Sequence, residues 1–133
     1  MSGRWDLLFV YGSLMRGQRA DGYLAHLAVA PATCHGWLHK VPAGYPALVA
    51  DPSGPEILGE VARFDDPSLL VLLDLYENTR ERVYQRVRLP ITVRGRSLDA
   101  WAWVTTAAQV RRHGFHRLDA RDWRHLSGGG RPG

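Results

Sequence analysis

The chain carries one lysine, Lys40, and one cysteine, Cys34. A lone cysteine excludes an internal disulfide and suits a reducing compartment, so a cytoplasmic protein is expected. Long apolar runs are missing too. Runs such as "LLFVY" at 7–11 and "LLVLL" at 69–73 are short, far from the roughly 20 apolar residues a membrane helix needs. The opening "MSGRWD" places an acid where a signal peptide has a basic segment and then an apolar one. No internal repeat and no charge block appears. The net charge of +4 comes from arginines scattered along the chain, with mild clusters at 80–88 and 111–124. Scattering of this kind describes a solvated basic surface, whereas a nucleic-acid groove concentrates its charge in a stripe. Membrane and nucleic-acid partners are therefore not expected, and the oligomeric state is not legible. His35 and His39, and His113 and His116, have no carboxylate or cysteine at metal-site spacing. No metal and no other cofactor is expected. Cys34, with no nucleophile signature around it, reads as a buried structural thiol.

What remains is 133 residues, enough for one domain that buries roughly two-thirds of its unfolded surface without a staple. The domain is expected over 1–126, followed by a flexible tail at 127–133, "SGGGRPG", which holds no apolar residue. Residues 7–11 are apolar throughout and read as a central strand. A short helix is expected around 20–27 and a strand over 32–41. The proline- and glycine-rich stretch 42–56 reads as a long loop or a broken strand. "ILGEVARF" at 57–64 reads as a strand with neither face clean.

The clearest helix is "DDPSLLVLLDLYEN". Asp66 suits its N-cap, Pro67 its first turn, and Leu69, Leu70, Leu72, Leu73 and Tyr76 its apolar face. Asn78 suits a left-handed residue that ends it. A strand follows at 83–93, where Pro90 calls for an edge or a bulge. The next strand, "LDAWAWVTT", sets Ala100 and Ala102 on one face and Trp101 and Trp103 on the other. Small and large side chains on opposite faces suit the taper of a small closed sheet. "LDARDWRHL" then makes a short turn or helix that docks Trp123. The class is α+β: a small curled β-barrel of about five to six strands with two or more flanking helices.

Two places offer chemistry. At Tyr11-Gly12-Ser13-Leu14 a buried strand stops at a glycine, and successive amides in such a turn can converge on an anion. An ordinary strand-end turn, with Ser13 bonding its own backbone, explains the same residues. Glu77 stands near the C-terminal end of the leucine-rich helix. The unpaired carbonyls there, and burial beside Tyr76, both disfavour the carboxylate and tune it toward general acid–base work. A solvated glutamate paired with Arg80 or Arg82 explains it equally. Asp74 and Glu60 each read as arginine partners. The rigid loop Gly44-Tyr45-Pro46-Ala47-Leu48, which bears an aromatic, is either a pocket wall or a plain connection.

Taken in order, "FVYGSLMRGQ", "GYPAL", "GEVARF", "LLDLYEN…YQRVRLPI", "AWAWV" and "DWR" resemble the gamma-glutamylcyclotransferase-like family, most closely its short branch that acts on gamma-glutamylamines. The resemblance spans residues 7–124. It implies a curled mixed β-barrel with flanking helices and an enzyme without a cofactor. Such an enzyme releases 5-oxoproline from a small gamma-glutamyl compound when the substrate's own alpha-amino group attacks the gamma-carbonyl. By position it implies Glu77 as the catalytic acid–base and Tyr11, Gly12, Ser13 and Leu14 as the turn that holds the glutamyl group. Tyr84 would line the pocket and Tyr45 would border it. Asn78 stands where the family usually has glycine. The alternative is a binding module of the same fold that does no chemistry, against which the presence of Glu77 argues. The leaving group, whether amine, lysine side chain, amino acid or carrier-bound acyl chain, is not legible.

Overall fold

The computed structural model describes residues 5–125 apart from 13, 16, 19, 20, 43, 81 and 82, with backbone only at 78–80 and 125. Among the described residues, seven strands and two helices follow one another: β1 Asp6–Val10, β2 Val29–Lys40, β3 Pro46–Ala50, β4 Glu56–Phe64, α1 Ser68–Arg80, β5 Gln85–Val93, β6 Arg96–Val104, α2 Ala107–His113 and β7 His116–Arg117. Single 3-10 turns lie at Asp21–Leu24 and Trp123–His125.

Five of these strands close a barrel. The order β2-β4-β1-β6-β5 returns to β2 through Thr33 and Thr92. All neighbours are antiparallel except β1 and β6, which run parallel at Leu8 and Trp101. β2 is long enough to serve twice. Its first half pairs with β4, and beyond Cys34 it carries β3 and β7 as extra strands. The crossing from one sheet to the other needs glycine. A Cβ on Gly36 would stand 2.5 Å from the Val49 carbonyl oxygen.

Alternating side chains divide the core. Phe9, Leu38, Leu48, Ile57, Leu89, Ile91, Ala100 and Ala102 fill the barrel. Leu8, Val10, Phe64 and Trp103 face outward and are covered by Leu69, Leu70 and Leu73 of α1. The split between the two alanines and the two tryptophans of β6 is the one expected. Trp123 is buried against the outer cluster, also as expected. Cys34 is buried in the barrel, where desolvation pushes its thiol up to about 12.

Several expectations need correction. The helix expected around 20–27 is a single 3-10 turn at Asp21–Leu24. β2 begins three residues earlier than expected and runs through Pro31. Pro31 is tolerated because at that point the register gives β2 only one neighbour, β4. The 42–56 stretch contains β3, and α2 and β7 were not foreseen. At Pro90, where an edge or a bulge was expected, the structure has the edge and no bulge. The β5–β6 register runs unbroken from Gln85 to Val93, so the missing N–H falls on the strand's other edge. α1 starts as read, with Asp66 Oδ1 accepting from the Ser68 amide at 3.0 Å. It runs past Asn78 to Arg80, so Asn78 is helical and not its left-handed end. The tail expected at 127–133 lies outside the described residues. No described helix is long and apolar enough to cross a membrane.

Candidate active site

β1 ends at the mouth of the barrel, and the chain leaves it through Tyr11 and Gly12. The Gly12 carbonyl accepts from the Met15 amide at 3.0 Å, closing a tight turn. A Cβ on Gly12 would stand 2.7 Å from Pro46 Cγ, so only glycine lets this turn pack against the start of β3. The turn, α1, β6 and β3 together enclose a half-open recess of about 340 Å³, counting the space at its mouth. Its described walls are Phe9, Val10, Tyr11, Gly12, Leu14, Pro46, Glu77, Tyr84 and Trp103.

Two phenols hold the frame. Tyr11 donates from its hydroxyl to the Trp103 carbonyl at 2.7 Å and accepts from the Leu48 amide at 3.1 Å. Tyr84 donates to the Pro46 carbonyl at 2.6 Å. Each phenol thus ties β3 to another element at the rim of the recess. Burial pushes the Tyr11 phenol well above its ordinary range, and its neighbours Tyr84 and Glu77 push it the same way. It stays protonated and serves as a fixed donor. Glu77 arrives from the last turn of α1, is only 8 % exposed, and lines the same recess as this pair of tyrosines.

Of the residues expected at a site, Tyr11, Gly12, Leu14, Glu77 and Tyr84 come together from three separated segments. Tyr45 does not line the recess. Its carbonyl accepts from the Val41 amide at 2.9 Å, and the wall at this point is its neighbour Pro46. Ser13 lies outside the described residues, as do the side chain of Arg80 and the whole of Arg82. Phe9, Val10 and Trp103 were not foreseen as walls, whereas Pro46 belongs to the 44–48 loop read as a wall or a plain connection. For Trp103 the signal was present in the alternation of β6, which gives a side chain's face but not what lies over it. Asp74 and Glu60 do pair with arginines, Arg86 at 3.0 Å and Arg124 at 3.5 Å. Among the described residues no three of histidine, cysteine, aspartate and glutamate gather as a metal site would require.

The family model for gamma-glutamyl cyclotransferase, AIG2-like proteins matches residues 8–125, which is nearly the whole chain. The chain belongs to this family. YkqA from Bacillus subtilis has a similar fold, with a TM-score of 0.72 and 22% identity over 97% of this chain and 44% of YkqA. The chain therefore spans less than half the length of that relative. An AIG2-like protein from Mus musculus gives 0.63 and 24%, over 85% of this chain and 84% of its own. A structure named gamma-glutamyl cyclotransferase gives 0.58 and 16%, over 77% and 68%. At these identities the likeness establishes the fold: a closed five-strand mixed barrel with two extra strands and two helices, as the family shares it. No curated protein sequence matches the chain.

Proposed function

We propose that this AIG2-like chain is a gamma-glutamyl cyclotransferase that releases 5-oxoproline and an amine or amino acid from a small gamma-glutamyl amide. One observation carries the reading. A buried carboxyl group, Glu77, lines one recess together with a glycine turn and a protonated phenol.

The reaction needs no nucleophile from the protein. The substrate's alpha-amino nitrogen attacks its own gamma-carbonyl carbon, and a five-membered ring forms. The bond from that carbon to the amide nitrogen then breaks, and the amine leaves. Glu77 takes the proton that the alpha-ammonium must lose and returns one to the departing nitrogen. Backbone amides of the turn at 12–14 hold the alpha-carboxylate or the developing oxyanion. Confining the flexible glutamyl chain to its cyclising shape supplies much of the rate.

The test is 5-oxoproline release, followed by mass spectrometry, from gamma-glutamyl-alanine, epsilon-(gamma-glutamyl)-lysine, a gamma-glutamyl alkylamine and glutathione. Wild type is expected to turn over at least one of these. Glu77→Gln is expected to lose roughly 10²–10⁴-fold in kcat, the range for removing a general acid–base. Tight binding of a gamma-glutamyl compound without product would instead identify a binding module of the same fold.

A further inference from the structure

The outer face of β5 and β6 repeats one arrangement twice. Arg88 and Trp101 are cross-strand partners, and so are Arg86 and Trp103. In the first pair, Arg88 and the Trp101 indole N–H both donate to Asp6, at 3.0 and 2.9 Å. In the second, Arg86 Nε and the Trp103 indole N–H both donate to Asp74 Oδ1, at 3.0 and 2.8 Å. The chemistry is the same but the connection differs. Asp6 belongs to β1, inside the barrel sheet. Asp74 belongs to α1, three residues before Glu77 and one turn away on the same side of the helix.

Building on the cyclotransferase reading, we propose that Asp74 is the positioning residue of this site. It fixes the rotation and the height of α1 against β6 and thereby sets where Glu77 stands in the recess. Leu69, Leu70, Leu73 and Tyr76 of α1 pack on the same cluster, and apolar packing by itself does not fix direction. A hydrogen bond to a buried indole does. Trp103 is also a wall of the recess, and its carbonyl accepts from Tyr11. One carboxylate therefore ties the helix bearing the acid to the wall that anchors the phenol.

The test compares Asp74→Leu, Asp74→Asn and Asp6→Leu. Asp74→Leu removes the acceptor while keeping similar bulk. It is expected to lower kcat by about 10- to 100-fold, the effect of misplacing a reacting group by about 1 Å, and to leave KM within about twofold. Asp74→Asn keeps an oxygen for the indole and is expected to recover most of kcat. Asp6→Leu breaks the twin arrangement without touching α1, and its kcat should match wild type. Equal losses from Asp74→Leu and Asp6→Leu, or an unchanged kcat in Asp74→Leu, would overturn the proposal.

A readout independent of turnover is the side-chain carboxyl carbon resonance of Glu77 in the folded protein. It should shift in Asp74→Leu and stay in place in Asp6→Leu. If wild type makes no 5-oxoproline, the functional reading falls, and this resonance still decides the positioning. An unmoved signal in Asp74→Leu would overturn it.

Discussion

Tyr11 and Glu77 were legible in the sequence because each stands at a junction with its own local signature, a strand stopping at glycine and a leucine-rich helix nearing its end. What they touch was not legible. Tyr11 reaches a carbonyl 92 residues away, and no local pattern encodes that distance. His39 shows the same limit. It read as a histidine without metal partners, yet it is buried on β2. Burial, the main influence, holds its imidazole below the ordinary range. The Trp37 and Ala47 carbonyls pull it up, and the cross-strand neighbour Arg117 pushes it down. The unfolded chain therefore takes up this proton before the folded one does. Stability from His39 is full above about pH 6.5 and falls as pH drops through that value toward the lower folded pKa, by at most about 1.4 kcal/mol per pH unit. Urea unfolding between pH 7.5 and 5 should show this slope, and His39→Gln should flatten it. An identical slope in the variant would remove His39 from the account.

At the scale of elements, strong local chemistry was readable and weak periodicity was not. α1 announced itself through Asp66, Pro67 and its leucines. α2 did not, since none of its residues is buried, although Thr106 caps it and Gly114 ends it at φ 66°. β3 was obscured by the prolines and glycines around it. Its place is set by Leu48, which bonds Tyr11 through its amide and Thr105 through its carbonyl. The β5–β6 hairpin turns on Arg94 and Gly95, both at positive φ, which matches the twist of its strands. Gly59 explains why β4 seemed to have no clean face. A Cβ there would lie 2.4 Å from the Val10 carbonyl oxygen and 2.7 Å from Phe9 Cζ. Gly59→Ala should push β4 from β1, at a cost of about 1–3 kcal/mol. The melting temperature should fall by several degrees, with the mouth of the recess disturbed beside Val10. A variant as stable as wild type would show that the barrel yields there freely.

For the whole molecule, the sequence carried the class and the barrel but not which strands close it. The alternation of alanine and tryptophan on β6 indicated a tapering sheet. It held no trace of the pairing of Thr33 with Thr92 that closes the ring, because such a contact depends on two strands far apart in the chain. The C-terminal segment completes the fold in a similar way. Arg124 bonds Asp122 through Nε and a terminal nitrogen, at 2.9 and 3.0 Å, and reaches Glu60 of β4 at 3.5 Å, pinning Trp123 onto the core. Its hydrogen bonds to Asp122 raise its pKa, while burial works against this. Arg124→Ala takes this cation from two buried carboxylates. It should cost about 2–3 kcal/mol in urea unfolding, less than a fully buried pair because Arg124 is partly exposed. A loss under about 0.5 kcal/mol would place the pair among ordinary surface contacts.

The central claim is intramolecular attack by the substrate's own amine, and oxygen labelling tests it directly. Turnover of a gamma-glutamyl substrate in water enriched with oxygen-18 should give one 5-oxoproline per amine released, with no label. Glutamate carrying one labelled oxygen would mean that water, not the alpha-amino group, attacks the carbonyl, and the mechanism built on Glu77 and the Tyr11–Gly12 turn would be wrong.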